Sequence, residues 1–256
     1  MNGKDSDFDA DLSARLLLAA RKTKAFLEFL PSQALPSSEA QADLIQDKVA
    51  ALMGAVRGWK VGAASPSAAP ARAPIHTETL FINPRSIPAS MFSYIGAEAE
   101  IAYKFAKDLG GDGAALTLDE VLDAVESVHP VIEIVDTRFS RWDSQPPLAH
   151  RADQGNHGAL MVGDPILNWR SMRPQDQRVM LEINGQLVAD KVNGNSAGNP
   201  ENLLLWLANK GAASLGGIKA GQYVTTGSCT GTVMVKPPVE LKATLFGYGS
   251  LTVVIE

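Results

Sequence analysis

A glutamate stands in the middle of a β-branched run, Val131-Ile132-Glu133-Ile134-Val135-Asp136, and this segment constrains the fold more than any other. β-Branched side chains favour the pleated strand, and a run this apolar predicts a strand buried inside a sheet. A carboxylate in such a strand is expensive to desolvate unless it is paired or coordinates something. An ion pair with Arg138 or Arg141 would satisfy it, and so would a bound cation. Either way, the chain must carry a strand through its core and bring a partner to Glu133.

A second acidic segment, Gly96-Ala97-Glu98-Ala99-Glu100-Ile101-Ala102-Tyr103, bears on that choice. In a strand, Glu98 and Glu100 share one face while Ala99, Ile101 and Tyr103 take the other. Two residues span roughly 7 Å along a strand, and long side chains can converge from there onto one ion. The same alternation also occurs on exposed strand edges, so spacing alone leaves both readings open. Three glutamates with some waters suit Mg²⁺ or Mn²⁺, whereas the scattered His76, His129, His150 and His157 offer no zinc-type pair.

The rest of the chain supplies the frame. With 45% hydrophobic and 20% charged residues, its composition is that of a globular enzyme rather than a disordered tail. A net charge of -5 argues against a nucleic-acid-binding surface. No apolar run approaches the roughly 20 residues of a membrane span, and Leu16–Ala20 is too short for a signal peptide. A single cysteine, Cys229, excludes an internal disulfide, so a cytoplasmic location is expected.

Leu12 to Leu30 reads as a helix ended by Pro31. Ser38-Glu39-Ala40-Gln41 resembles a capping box, followed by Ile45, Val49, Leu52, Met53 and Val56 at helical spacing. Pro66, Pro70 and Pro74 make residues 64–76 a loop or linker. Thr117 and Glu120 form another capping box, with Leu118, Val121, Leu122, Val125 and Val128 on one helical stripe that stops before Pro130. Asn199-Pro200 starts a helix running to Asn209, and Asn184-Gly185 marks a tight hairpin. Val239 to Leu245 alternates and turns back into Leu251 to Ile255 as an antiparallel pair. The expected division is therefore a helical N-terminal region with its proline-rich loop, 1–76, and a β-rich core, 77–256, forming one unit.

Three further segments could carry chemistry. In Gly58-Trp59-Lys60-Val61-Gly62 the lysine could be partly desolvated, with a lowered pKa, although a surface lysine is the commoner outcome. His150 to Gly158 is polar and turn-rich, and suits a binding loop or a simple connection. Thr225 to Gly231 supplies hydroxyls and amides for a carboxylate without the pattern of a phosphate loop. Cys229 reads as packing.

In order and spacing, these segments resemble the 2-keto-4-pentenoate hydratase and 4-oxalocrotonate decarboxylase family, within the fumarylacetoacetate hydrolase superfamily. The resemblance runs from Trp59-Lys60-Val61-Gly62 through Glu98-x-Glu100, Val131 to Asp136 and Ala152-Asp153-Gln154-Gly155-Asn156. It continues through Gly198-Asn199-Pro200, Trp206-Leu207-Ala208-Asn209, Lys219-Ala220-Gly221 and Thr226-Gly227-Ser228 to Phe246-Gly247-Tyr248-Gly249-Ser250. It implies an α+β protein, a helical N-terminal part followed by a mixed β-roll or barrel core. It further implies that Glu98, Glu100 and Glu133 ligate Mg²⁺ or Mn²⁺ and that Lys60 is the acid/base. Gln154, Asn156, Thr226 and Ser228 would line the substrate pocket. The activity implied is a metal-dependent lyase that hydrates a 2-hydroxy-2,4-dienoate to a 4-hydroxy-2-oxo acid through a metal-stabilised enolate, in aromatic-compound catabolism. Decarboxylation of a 2-oxo-3-enedioate is the alternative within the family, and a non-catalytic oligomer partner is the alternative outside it. Homo-oligomers are the rule in the family, and a complex with a related hydratase or decarboxylase fits the same pattern. The sequence departs from the family at Ala73 to Leu80, where relatives carry an acidic Pro-Asp-Tyr-Gly-like segment. His76 and Glu78 are the candidates to take that catalytic place.

Overall fold

The structure is a computed structural model, and it describes residues 8–110, 115–142 and 145–256. Two helices come first, α1 (Ala10–Thr23) and α2 (Glu39–Met53). Strands β1 (Val56–Gly62), β2 (Ala71–His76), β3 (Leu80–Ile82), β4 (Ser86–Ile87) and β5 (Gly96–Phe105) follow. Helix α3 (Leu118–Leu122) precedes β6 (Val125–Val135), and α4 (Pro147–Ala152) precedes β7 (His157–Val162). The hairpin β8 (Val179–Ile183) and β9 (Gln186–Lys191) leads to α5 (Glu201–Trp206). Strands β10 (Tyr223–Thr225), β11 (Val233–Met234), β12 (Val239–Leu245) and β13 (Gly249–Ile255) close the chain. No helix among the described residues is long and apolar enough to cross a membrane.

These strands form two sheets. The larger runs β2-β1-β10-β5-β6-β7-β3 with β11 beside β5, and the smaller runs β4-β13-β12-β8-β9. Alternation decides how they pack. Trp59 and Val61 of β1, Ala99, Ile101 and Tyr103 of β5, Ile132 and Ile134 of β6, and Met161 of β7 share one face with Leu241, Ala243 and Val253 of the smaller sheet. That is the main core. A separate cluster joins α1, α2 and α4 through Ala14, Leu17, Ile45, Val49 and Ala149. The other face of the larger sheet curls on itself, because Ile75 of β2 packs with Leu160 and Val162 of β7 at the far end of the strand order. The fold is the α+β arrangement expected, helices ahead of a rolled β core.

Four local expectations need correction. Helix α1 ends at Thr23 rather than Leu30, because Lys24 adopts a left-handed cap and Leu27 then pairs with the backbone beside Phe139. Residues 71–76, expected to lie in a loop, form β2. It is an edge strand bonded only to β1, where Pro74 leaves no internal ladder bond unmade. Thus 56–62 and 71–76 are strands of the larger sheet, although the sequence groups them with the helical region. The stripe from Leu118 to Val128 is helical only to Leu122, and Val125, Val128 and Pro130 all belong to β6. Pro130 is tolerated because its carbonyl accepts from Gly163 (2.9 Å), just past the end of β7. Carbonyl and N–H of one strand residue point to the same side, so the missing N–H falls where β7 has already ended.

The remaining signals correspond to structure. Ser38 and Thr117 cap α2 and α3, and Asn184-Gly185 turns β8 into β9 with both residues at positive φ. The Asn199 helix passes from α5 into a single π turn over Leu207–Gly211.

Candidate active site

Register brings the acidic residues together. Residues paired across neighbouring strands project on the same face. Lys60 of β1 lies beside Thr225 of β10, which lies beside Ala102 of β5. Glu98 of β5 stands opposite Glu133 of β6. Lys60, Thr225, Glu98, Glu100 and Glu133 therefore share the inner face of the curl, while the residues between them pack the core. On a flat sheet β1 and β6, three strands apart, would be separated by about 14 Å. The curl closes that gap, and Lys60 Nζ lies 2.7 Å from Glu133 Oε1.

One carboxylate oxygen from each of Glu98, Glu100 and Glu133 lies within 4.8 Å of the others. Glu100 and Glu133 are buried, and Glu98 is half-buried. Each carboxylate has its own support. Glu100 Oε2 accepts from the Thr225 hydroxyl and from Gly227 N–H (3.1 Å). Glu98 Oε1 accepts from the Thr232 hydroxyl. Glu133 Oε1 accepts from His157 Nδ1 (2.9 Å) in addition to Lys60. Lys60 Nζ also donates to Gly155 O (3.0 Å). That carbonyl is aimed by Gln154, Gly155 and Asn156, three consecutive residues at positive φ. Among the described residues, no donor reaches the buried Glu100 Oε1.

Electrostatics make this cluster unstable as it stands. Burial, then repulsion from Glu133, raises the pKa of Glu98, and the same forces with Glu98 added push Glu100 well above the ordinary carboxylate range. Burial also works to raise Glu133, but Lys60 and His157 outweigh it and hold it below its usual value. For Lys60, burial pulls the pKa down, yet Glu133, Glu98 and Glu100 together carry it above the ordinary lysine value. Against these three carboxylates alone, Lys60 is neither the surface lysine nor the lowered one that its sequence allows, but a largely enclosed, raised ammonium. His157 is pushed down to about 4 by burial and is neutral at pH 7. Its Nδ1–H then donates to Glu133, and its Nε2 accepts from the Thr79 hydroxyl (3.1 Å). Three carboxylates against one ammonium, with one buried oxygen unpaired, form a donor set that fits a hard divalent cation.

The other sequence candidates are placed less uniformly. Neither His76 nor Glu78 bonds to the cluster: His76 is buried at the end of β2 and Glu78 is exposed on the turn after it. Gln154 is committed to Arg21 (2.9 Å) and to Pro74 O, and Asn156 Oδ1 to His150 (2.8 Å). The Thr226 hydroxyl donates to Ile101 O, so its neighbour Thr225 is the threonine that meets the cluster. Ser228 is half-buried and its oxygen accepts from Gly231 N–H (3.0 Å), which leaves its own O–H to donate. Arg138, considered as a partner for Glu133, pairs with Asp153 at 2.6 Å instead, and Arg141 is exposed. Sequence reasoning missed Thr232 and reached Thr225 and His157 only as members of candidate loops, without their roles. A strand phase one residue earlier in Thr225-Thr226 would have singled out Thr225, but the other two depend on pairings distant in the chain.

The fumarylacetoacetate (FAA) hydrolase C-terminal family model matches residues 59–256. A 2-hydroxypent-2,4-dienoate hydratase of Pseudomonas putida is 35% identical over 113 residues, covering 44% of this chain and 50% of that protein. A 2-keto-4-pentenoate hydratase of Paraburkholderia xenovorans (strain LB400) is 28% identical over 171 residues, 67% of this chain and 62% of the relative. The chain thus spans between half and two thirds of the length of these relatives. Among solved structures, 4-oxalocrotonate decarboxylase from Pseudomonas putida G7, complexed with magnesium and adipate, superimposes with a TM-score of 0.84. Its identity is 21%, and the match covers 96% of this chain and 97% of that one.

Proposed function

The chain belongs to the fumarylacetoacetate hydrolase C-terminal family, and on that premise we propose that it is a divalent-metal-dependent lyase hydrating a 2-hydroxy-2,4-dienoate to a 4-hydroxy-2-oxo acid. The observation that carries this reading is the Glu98–Glu100–Glu133 cluster with its unpaired Glu100 oxygen and a lysine held against it. Relatives named as hydratases of such acids support the substrate class.

Glu98, Glu100 and Glu133 would hold Mg²⁺ or Mn²⁺, with Thr225, Thr232 and His157 fixing the orientation of the three carboxylates. Such an ion supplies a Lewis acid where the substrate's carboxylate and neighbouring oxygen meet the protein. Lys60, held 2.7 Å from Glu133, is the group placed to move a proton to and from the conjugated carbon chain, and a cation shared by the three carboxylates would offset the charge that raises its pKa. The Gly155 carbonyl and Glu133 restrict where that nitrogen points. Ser228, whose oxygen accepts from Gly231 N–H and whose O–H donates to no group among the described residues, would donate to the substrate's carboxylate. Ile75, Val131, Leu160 and Val162 pack together on the same inner face and lower the polarity around these groups.

The test is proton NMR of 2-hydroxypenta-2,4-dienoate with the protein, with Mg²⁺ and again with EDTA. Formation of 4-hydroxy-2-oxopentanoate only with the metal is expected. A metal-independent reaction, or none with either this acid or its dicarboxylic counterparts, contradicts the reading.

A further inference from the structure

A cavity of about 370 Å³ is lined among others by Arg21, Lys22, Lys24, Glu78, Thr79 and Gly158. Short hydrogen-bonded chains connect its lining to the site. Thr79 bonds to His157, which bonds to Glu133, and Gln154, which holds Arg21, precedes the Gly155 carbonyl that holds Lys60. Its charge is one-sided, with three cationic side chains against the single carboxylate of Glu78.

Arg21 is the unusual member. Its Nη2 donates to Gln154 Oε1 at 2.9 Å and to His157 O at 2.7 Å, and both acceptors are neutral. Among the described residues it joins no salt bridge. The other enclosed arginines all do: Arg72 with Asp47, Arg138 with Asp153, and Arg151 with Asp43. Burial, then the nearby charge of Arg138, brings Arg21 down to about 9 against the opposing pull of Asp153, Asp136 and Glu78. Lys24 likewise gives its ammonium to a neutral acceptor, the Met91 carbonyl. A guanidinium fork fixed on one side by neutral acceptors and facing an open cavity matches a carboxylate in geometry and in charge.

We propose that Arg21, on the last turn of α1, forms a carboxylate-binding subsite that takes the far end of the substrate. Among the acids bound at the glutamate cluster, those with a second carboxylate are then preferred. This rests on the reading of the cluster given above, and it ranks dienoates bearing a second carboxylate above those without one. Arg138 and Arg151 are unsuited to that role, since both are consumed by internal carboxylates, and Arg141 is exposed.

Adipate and hexanoate have the same carbon count and differ by one carboxylate, so they isolate the subsite. Calorimetric titration of each into the full chain with Mg²⁺ should show adipate binding at least about tenfold tighter. Arg21→Met should bring the two acids within about twofold of one another, by weakening adipate alone, and Arg21→Lys should retain part of the preference. Equal affinities in the unaltered protein overturn the subsite, and that comparison stands even where Arg21→Met does not fold. A preference for adipate that survives Arg21→Met overturns it as well. Failure of the underlying reading looks different: both acids would then bind the same with EDTA or in Glu133→Gln as they do with Mg²⁺.

Discussion

On one face of the larger sheet Trp59, Ala99, Ile101, Ile132 and Met161 meet the smaller sheet; on the other, the residues between them include Lys60, Glu98, Glu100 and Glu133. The same strands build both. Each large apolar side chain buried on the first face contributes about 1.5–3 kcal/mol. The second face runs against stability, with carboxylates taken out of water, Glu98 set directly opposite Glu133, and one oxygen of Glu100 unpaired. The alternation of the strand lets neighbouring residues serve opposite ends. The apolar face offsets the cost of the polar one, and the polar face keeps a charge density that has no structural use.

If that division holds, substitutions on the two faces should fail in different ways. Ile132→Ala should lower stability by about 2–5 kcal/mol in chemical denaturation while leaving metal affinity of the folded protein unchanged. A loss of metal affinity comparable to the loss of stability would show the faces are not separable. Thr225→Val keeps the shape and removes the hydroxyl on Glu100, so metal affinity should fall about 10–100-fold with little change in melting temperature. Gly155→Ala probes the turn that aims a carbonyl at Lys60. Its Cβ would sit 3.6 Å from Lys60 Cε, an ordinary contact, so the cost is the left-handed backbone alone, about 1–2 kcal/mol.

The smallest effect expected is a pH dependence arising away from the cluster. Burial holds His129 below the ordinary histidine value, while Ser127 and Gly163 satisfy its neutral ring. As pH falls through the ordinary range the unfolded chain takes up this proton and the folded chain does not. The stabilisation is therefore complete above about pH 6.5 and is lost on acidification. The urea midpoint should drop between pH 7 and pH 5, with a shallower drop in His129→Asn. An unchanged slope in that variant would remove His129 from the account.

Much of this division was legible before any fold was known. Glu133 in its β-branched run and the two-residue spacing of Glu98 and Glu100 announce the cluster, because alternation is a local property. The hairpins at Asn184-Gly185 and Gly247 are legible for the same reason. What local pattern could not reveal was set by pairing. Val125 and Val128 sit at helical spacing from Val121, yet β5 claims them as strand. Pro74 looks like a loop residue until β2 is known to be an edge. His157, Thr232 and Arg21 reach the site from segments far from the glutamates in sequence, and Lys60 reads as a lowered lysine until three carboxylates surround it.

The function of the cluster depends on whether the three glutamates bind one divalent ion. Mn²⁺ titration followed by electron paramagnetic resonance, on the unaltered chain and on Glu100→Gln and Glu133→Gln, addresses this directly. One Mn²⁺ per chain is predicted, weakened by at least about 100-fold in each variant with the circular dichroism of the fold retained. No binding to the unaltered chain, or undiminished binding in both variants, would contradict it.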